Sequence, residues 1–333
     1  MSRIFRSDDV QVGDRVVARR DFGDVHSDVI GHVLSLKPLV IRPQQVGGYP
    51  SDLEAVEIAP EQLKIIKRLS PRMVRNSDIR AVEYATAQAF PGKEHTWTAD
   101  GSWLMRAGDG VTGRSNSAVP LRPSAGFNPV PLAEITEFYR RHDLPVRLLI
   151  PERIGKPAER LLADATWHTE PEILVMVLRD LADLSAEAPG SHPSGAEFRI
   201  DAQPDDAWLQ MYHFRGQALP VQALEYLRAR IEGTMGFGRL VIDGETVAIT
   251  RGTITESGDG TAWLGYSAVE VAPAHRRQGL GALLGQHMLR WGRDQGAKHA
   301  YLDVLASNTA GIRLYEKLGF IEQHRQIYAR LRD

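Results

Sequence analysis

Cysteine is absent from the 333 residues, which excludes disulfides, thiolate metal sites and any covalent acyl-cysteine intermediate. No metal centre is expected. Long apolar runs are missing too: stretches such as Ile173–Leu178 fall far short of the ~20 residues that cross a bilayer, and Met1–Val10 has no apolar signal core. A cytoplasmic protein with no membrane partner is the expectation. Also lacking is the Gly-Lys-Ser/Thr of a P-loop, and Gly279-Leu-Gly-Ala-Leu-Leu-Gly285 has one residue too many for the dinucleotide fingerprint. Kinases and dehydrogenases are therefore disfavoured. What remains is ordinary globular material, 43% hydrophobic and 25% charged, long enough for two or three domains. Net charge is only −2, yet from Ala272 onward ten Lys/Arg stand against five Asp/Glu. That surplus suits a polyphosphate ligand, and equally a solvated basic face.

Three segments follow from the patterning. Residues 1–70 carry short β-branched runs split by Gly, Asp and Pro, at Val10–Ala18, Ser27–Leu34, Leu39–Arg42 and Leu53–Ile58. They read as a small all-β domain, and Val12-Gly-Asp-Arg-Val-Val resembles the opening of many SH3-like barrels. Ten basic residues balance ten acidic ones there, which points to docking or oligomerisation rather than to a nucleic-acid clamp. Residues 71–190 are mixed α/β. Helices are expected from the Asn76 cap through Ala85, at Leu132–Arg141 and at Pro157–Ala165; strands at Trp103–Arg106, Val146–Ile150 and Ile173–Leu178; a Gly-rich turn spans 108–116. Ser185–Gly195 has linker composition.

Residues 191–333 begin a new pass, with helices at Asp205–His213 and Val221–Ile231 and a hairpin through Asp243-Gly244. The strand Ala262–Val271 leads through Pro273 into Arg276-Arg-Gln-Gly-Leu-Gly281 and an apolar helical stripe of Leu283, Leu284, Met288 and Trp291. A strand, a glycine turn and a helix start of this kind form a nest of backbone N–H groups for phosphate. Then come a strand from Tyr301, a helix over Asn308–Leu318 and a closing strand at Ile327–Leu331. The middle and last segments echo one another: Leu331 lies eleven residues past Phe320, as Leu178 lies eleven past Trp167. The middle segment has no counterpart of the glycine turn.

These residues resemble the GNAT superfamily of N-acetyltransferases. Its Gln/Arg-x-x-Gly-x-Gly/Ala signature is matched by Arg276–Gly281, its Val-x-Pro by Val271-Ala-Pro273, and its Asn…Leu-Tyr-Glu-Lys-Leu-Gly-Phe block by Asn308–Phe320. The match covers about 196–333. More loosely, the whole chain resembles an actinobacterial group in which an SH3-like domain and a degenerate GNAT-like lobe precede the active domain, with Thr112–Leu121 in support. The resemblance implies an α/β (α+β) fold: a central mixed, splayed sheet in tandem GNAT-like lobes, with a small all-β barrel at the N-terminus.

The resemblance also implies chemistry. Backbone amides from Arg277 through Gln278, Gly279, Leu280 and Gly281 to Ala282 would hold the pyrophosphate of acetyl-CoA, with Arg276 and Arg277 adding charge or staying solvated. Strand residues Val269 and Val271 would pair with the pantetheine arm, the Val269 amide facing the acetyl oxygen, while their side chains read first as core. Tyr315 is the expected general acid for the departing thiolate, seven residues after Asn308 and so two helical turns away; apart from the resemblance it reads as a buried tyrosine. The base is the gap. Some protein acetyltransferases carry a glutamate at the position of Gly265, and here Glu270 is the remaining candidate, although strand alternation turns it away from Val269 and Val271. Tyr266 and His213 stand further out. The expected activity is acetyl transfer to a primary amine, a protein lysine (histone-like among them) or a small molecule, by direct attack in a ternary complex. The alternative is a CoA-binding regulatory or adaptor protein.

Overall fold

The computed structural model describes residues 10–23, 25–184, 195–214, 217–218 and 221–332. All but the last residue of the linker expected at Ser185–Gly195 thus lie outside the described residues. The chain divides into two compact units, residues 1–75 with 321–324 and residues 76–320 with 325–333.

The first unit holds β1 (Arg15–Asp21), β2 (His26–Leu36), β3 (Leu39–Pro43), β4 (Val56–Ile58) and β5 (Leu63–Arg68) in one sheet of order β4-β3-β2-β1-β5. Every pairing is antiparallel. Inward residues of the alternating pattern, Val16, Ala18, Val29, Val33, Ile41 and Ile58, form its core. The strand β5 was not expected, because its lysines interrupt the apolar run.

The second unit opens with α1 (Asn76–Ala89), β6 (Glu94–Trp97), β7 (Trp103–Ala107), β8 (Val119–Pro120), α2 (Leu132–Arg141), β9 (Arg147–Pro151), α3 (Lys156–Glu159), β10 (Trp167–Thr169) and β11 (Ile173–Leu178). It continues with β12 (Glu197–Asp201), α4 (Asp206–Met211), β13 (His213–Phe214), β14 (Gln217–Ala218), α5 (Val221–Arg230), β15 (Thr234–Ile242) and β16 (Glu245–Glu256). Last come β17 (Ala262–Val271), α6 (Leu280–Asp294), β18 (His299–Leu305), α7 (Thr309–Lys317) and β19 (Ile321–Leu331). The helix α3 is shorter than Pro157–Ala165, since the chain tightens into a 3-10 turn at Leu161–Ala163. The Asp243-Gly244 turn has φ of 51° and 84°, the two positive values that a two-residue hairpin of matching twist requires.

One large sheet runs β10-β19-β11-β18-β17-β16-β15-β12, with β9 also on β19. The two halves of the unit exchange their closing strands. From the middle segment, β11 pairs antiparallel with β18, Ile173 opposite Leu305 through Leu178 opposite Ala300. In return β19 runs antiparallel to both β9 and β10. Alternation then drives Leu174 and Met176 into the same core as Leu302, Val304, Leu264 and Met288. Each such fully buried side chain contributes about 1.5–3 kcal/mol. Shared strands and a shared core are why the segments expected as 71–190 and 191–333 form one compact unit. Ala118, just before β8, makes one parallel bridge to Leu148 of β9 around α2, and β17 and β18 pair in parallel around α6. Among the described residues no helix is long and apolar enough to cross a membrane.

A fragment of residues 195–333 lacks β11 and leaves β18 unpaired on that side. It is expected to be molten or insoluble, whereas 76–333 should unfold in a single cooperative transition; circular dichroism during urea titration separates the two outcomes.

Candidate active site

The site is built where β17 and β18 part. They pair in parallel only from Trp263 opposite His299 to Gly265 opposite Tyr301; β17 then runs on to Val271 and β18 to Leu305 without a shared ladder. On its other side β17 breaks register with β16, which aligns Ile249 with Glu270 but Arg251 with Ser267. Residues 268 and 269 fall in that jump, and Ala268 has φ 56°. A non-glycine residue in this conformation costs roughly 1–2 kcal/mol. Packing outweighs it: the bulge turns Val269 and Val271 onto the α6 side with Tyr266, while Ala268 joins Trp208, Phe237 and Ile249 on the opposite face. The same jump leaves Val269 without a register partner on β16.

Across the parting lies the start of α6. Arg277 has φ 62° and Gly279 φ 84°, and no side chain caps the helix. The first bonds of this turn run from the Ala282 and Leu283 N–H groups to the Gly279 carbonyl, so the amides of Leu280 and Gly281 precede it. Left-handed residues at 277 and 279 curl the main chain around the helix mouth, the geometry of an anion nest. Gly281 and Gly285 let α7 approach: a Cβ at 281 would lie 3.2 Å from Leu314, and one at 285 only 2.4 Å from Leu318.

That approach sets Tyr315 against Tyr266 and Phe320, ring centroids 6.0 and 6.3 Å away, edge to face. Desolvation in this aromatic setting pushes the Tyr315 hydroxyl up to about 12. It also pushes the buried Tyr266 up, with Tyr315 adding to the effect. Tyr266, an outsider in the sequence, is thus part of the wall that orients Tyr315. Asn308 acts locally, its side chain capping α7 with Oδ1 accepting from the Gly311 N–H at 3.0 Å. It stands exposed at the cap position, seven residues before Tyr315.

The acidic candidate sits apart from this cluster. Glu270 Oε1 accepts from Arg276 Nη2 at 2.8 Å, and Arg276 Nε donates to the Val271 carbonyl. Glu270 and Arg276 therefore hold each other on the outer side of the strand, and neither joins Tyr315. At Gly265 a Cβ would meet the Tyr301 hydroxyl at 2.7 Å, so a tyrosine from β18 fills the space that a longer residue would need.

On the face opposite α6 are two cavities. One, of about 300 Å³, is lined by His213, Asp303, Tyr328 and Glu170 among others. His213 Nδ1 lies 2.9 Å from the Met211 carbonyl, which can only accept, so Nδ1 is the donor of this contact. The second is lined by Arg251, Arg114 and Tyr212. Sequence reasoning missed Arg251; the available signal was an arginine inside the β-branched run at 247–255. Asp205 caps α4 by accepting from the Trp208 N–H at 2.9 Å and pairs with Arg239.

Comparison with known proteins bears on the family and the fold. Residues 76–329 match the family described as "Probable histone acetyltransferase Rv0428c C-terminal". The "Probable histone acetyltransferase Rv0428c" of Mycobacterium tuberculosis is 34% identical over 318 residues, 94% of this chain and 93% of that protein. Among solved structures, a "GCN5-related N-acetyltransferase from Kribbella flavida" superposes with TM-score 0.55 at 18% identity, over 78% of this chain and 96% of that one. A "Tandem GNAT protein from the clavulanic acid biosynthesis pathway" gives TM-score 0.50 at 17% identity, over 68% and 77%.

If Asn308 acts through the helix cap alone, Asn308→Ala should cost about 1 kcal/mol of stability in urea unfolding. Asn308→Asp, which preserves the cap, should restore it.

Proposed function

The chain belongs to the Rv0428c C-terminal family of GNAT N-acetyltransferases, and on that premise we propose that it carries the acetyl group of acetyl-CoA to a primary amine by direct attack in a ternary complex. The single observation behind this reading is the parting of β17 and β18 at a bulge, beside an uncapped glycine turn and a desolvated tyrosine. Bound acetyl-CoA supplies an activated acyl group that leaves on a thiolate. The residues fit it: left-handed Arg277 and Gly279 expose amides for a pyrophosphate, and the gap after Gly265 and Tyr301 leaves strand edges for the pantetheine arm.

The Val269 amide, lifted out of register, is a preorganised donor for the carbonyl oxygen as it gains charge. Tyr315 donates its proton to the departing sulfur. A pKa of about 12 keeps that hydroxyl protonated across the neutral range, at the expense of making full transfer to a thiolate uphill, so donation takes place as the C–S bond breaks. The amine must arrive neutral; with Glu270 held by Arg276, the proton acceptors on the opposite face are His213 Nε2 and the carboxylates of the larger cavity. The acceptor is either a protein lysine, in keeping with the name of the mycobacterial relative, or a small amine.

We read the first unit as an SH3-like docking or oligomerisation domain, supported by its five antiparallel strands around one small core. The first half of the second unit is read as a degenerate GNAT-like lobe; the repeated parallel pairing and the lack of a second glycine turn support that. The alternative, a CoA-binding regulator with little turnover, draws on Gly265, where no carboxylate can reach past Tyr301.

Tyr315→Phe should lower kcat by roughly 100-fold while acetyl-CoA affinity stays within a factor of two or so. The raised pKa means that protonated Tyr315 persists above pH 10; a kcat profile that stays level up to pH 9.5 agrees, and a wild-type rate in the variant removes the acid role. Free thiol release from acetyl-CoA, followed across histone-like peptides, polyamines and aminoglycosides, separates enzyme from regulator. Acceptor-dependent release is expected, and tight binding without it would favour the regulator.

A further inference from the structure

On β16 alternate side chains face opposite ways. A Cβ at Gly252 would run into Met288 and Trp291 of α6, whereas Ile249 packs with Trp208 and Phe237, and Thr255 donates to the Ala85 carbonyl of α1. Arg251 shares the second face, across the sheet from the glycine turn. It is 2% exposed, its Nε donates to Ser267 Oγ at 3.3 Å and its Nη1 to the Tyr212 hydroxyl at 3.2 Å. Among the described residues no carboxylate pairs with it.

Three further cations line the same cavity, Arg114, Lys93 and Arg230, against one acid, Asp109. Their charges rest on aromatic rings: Arg114 lies 4.2 Å and Arg251 5.3 Å from the centre of Phe90, and Lys93 lies 4.6 Å from that of Tyr226. Among the described residues none of the three makes a salt bridge either. A guanidinium taken out of water without an opposite charge is costly, and a second arginine beside it raises the cost. Burial first, with Arg114 contributing, presses Arg251 below its ordinary pKa. The cavity holds about 40 Å³. That is space for about three waters, or for the head of an oxyanion, whose planar or tetrahedral oxygens suit the guanidinium fork.

We propose that the amine acceptor of this chain carries an anionic group, a carboxylate or a phosphate, which Arg251 binds with the help of Arg114, Lys93 and Arg230. The inference rests on the transferase reading and narrows it. Arg251 is tied to Ser267, the residue just before the bulge, so an anion held there sets an amine a short tether away from the Val269 amide. A lysine-rich tail would meet four positive charges and one negative. Like charges at such range are repelled, so small acidic amines are favoured over histone-like segments.

The test uses the full chain, acetyl-CoA and matched acceptors: α-amino acids against their amides, and phosphoethanolamine against ethanolamine. The acid-bearing member should have the higher kcat/KM by about tenfold or more, the equivalent of one charge-assisted hydrogen bond. Whichever pair gives the larger ratio identifies carboxylate or phosphate. In Arg251→Gln, and in the more exposed Arg114→Gln should the first fail to fold, that ratio should fall toward one. Equal rates within each pair, or faster turnover of a lysine-rich peptide, would overturn the proposal. If no acceptor releases thiol while acetyl-CoA still binds, the transferase reading fails. The anion site is then judged by inorganic phosphate in calorimetry: binding weakened by Arg251→Gln upholds it, and equal binding in both proteins removes it.

Discussion

Everything in the second unit depends on two parallel strands ceasing to pair. After Gly265 and Tyr301 neither β17 nor β18 satisfies its facing backbone groups on the other. Buried main-chain groups without partners are expensive, so an opened sheet persists only if something else uses the gap and if packing on both faces holds it apart. Here α6 and α7 pack on one face through Leu283, Leu284, Leu314 and Leu318, and α1, α4 and α5 lie on the other. The bulge at Ala268 reconciles the two faces. It shifts the alternation by one residue, so that Tyr266, Val269 and Val271 all reach α6 while Ser267 and Ala268 both turn away.

The exchange of closing strands reinforces this frame. Because β11 covers the free side of β18, the strand that borders the gap is fixed along its length by Ile173–Leu178. The middle lobe therefore contributes to the site without a phosphate turn of its own. Its loop at 111–114 and its residues Phe90 and Lys93 line the cavities on the face opposite α6. The glycine turn comes from the last segment alone, whereas both segments line the two cavities.

Electrostatics divide along the same plane. On the α6 side the groups proposed to act are main-chain amides and a desolvated phenol, which carry no net charge. The opposite side carries cations that make no salt bridge among the described residues, in a small cavity, and next to them a larger one with carboxylates and His213. Glu270 belongs to neither, since Arg276 holds it at the edge. An anion and an amine on one acceptor would suit these two neighbouring environments together, which is why charge rather than shape is the sharper criterion for acceptor choice.

Much of the donor side was legible in the chain. The hairpin at Asp243-Gly244 was readable because only positive φ closes a two-residue turn, the glycine turn at Gly279 because it needs left-handed backbone, and Tyr315 because its block of neighbours is contiguous. Local geometry decides the two turns, so sequence determined them; Tyr315 stood out only through the resemblance of its block to the family. The parting of β17 from β18, the bulge at Ala268 and the strand exchange depend on contacts far apart in the chain, and no local period records them. The same holds for Arg251. As a residue in a strand it was an oddity; only the tertiary structure, by burying it beside Arg114 and Phe90 with no carboxylate paired to it among the described residues, made it a candidate for recognition.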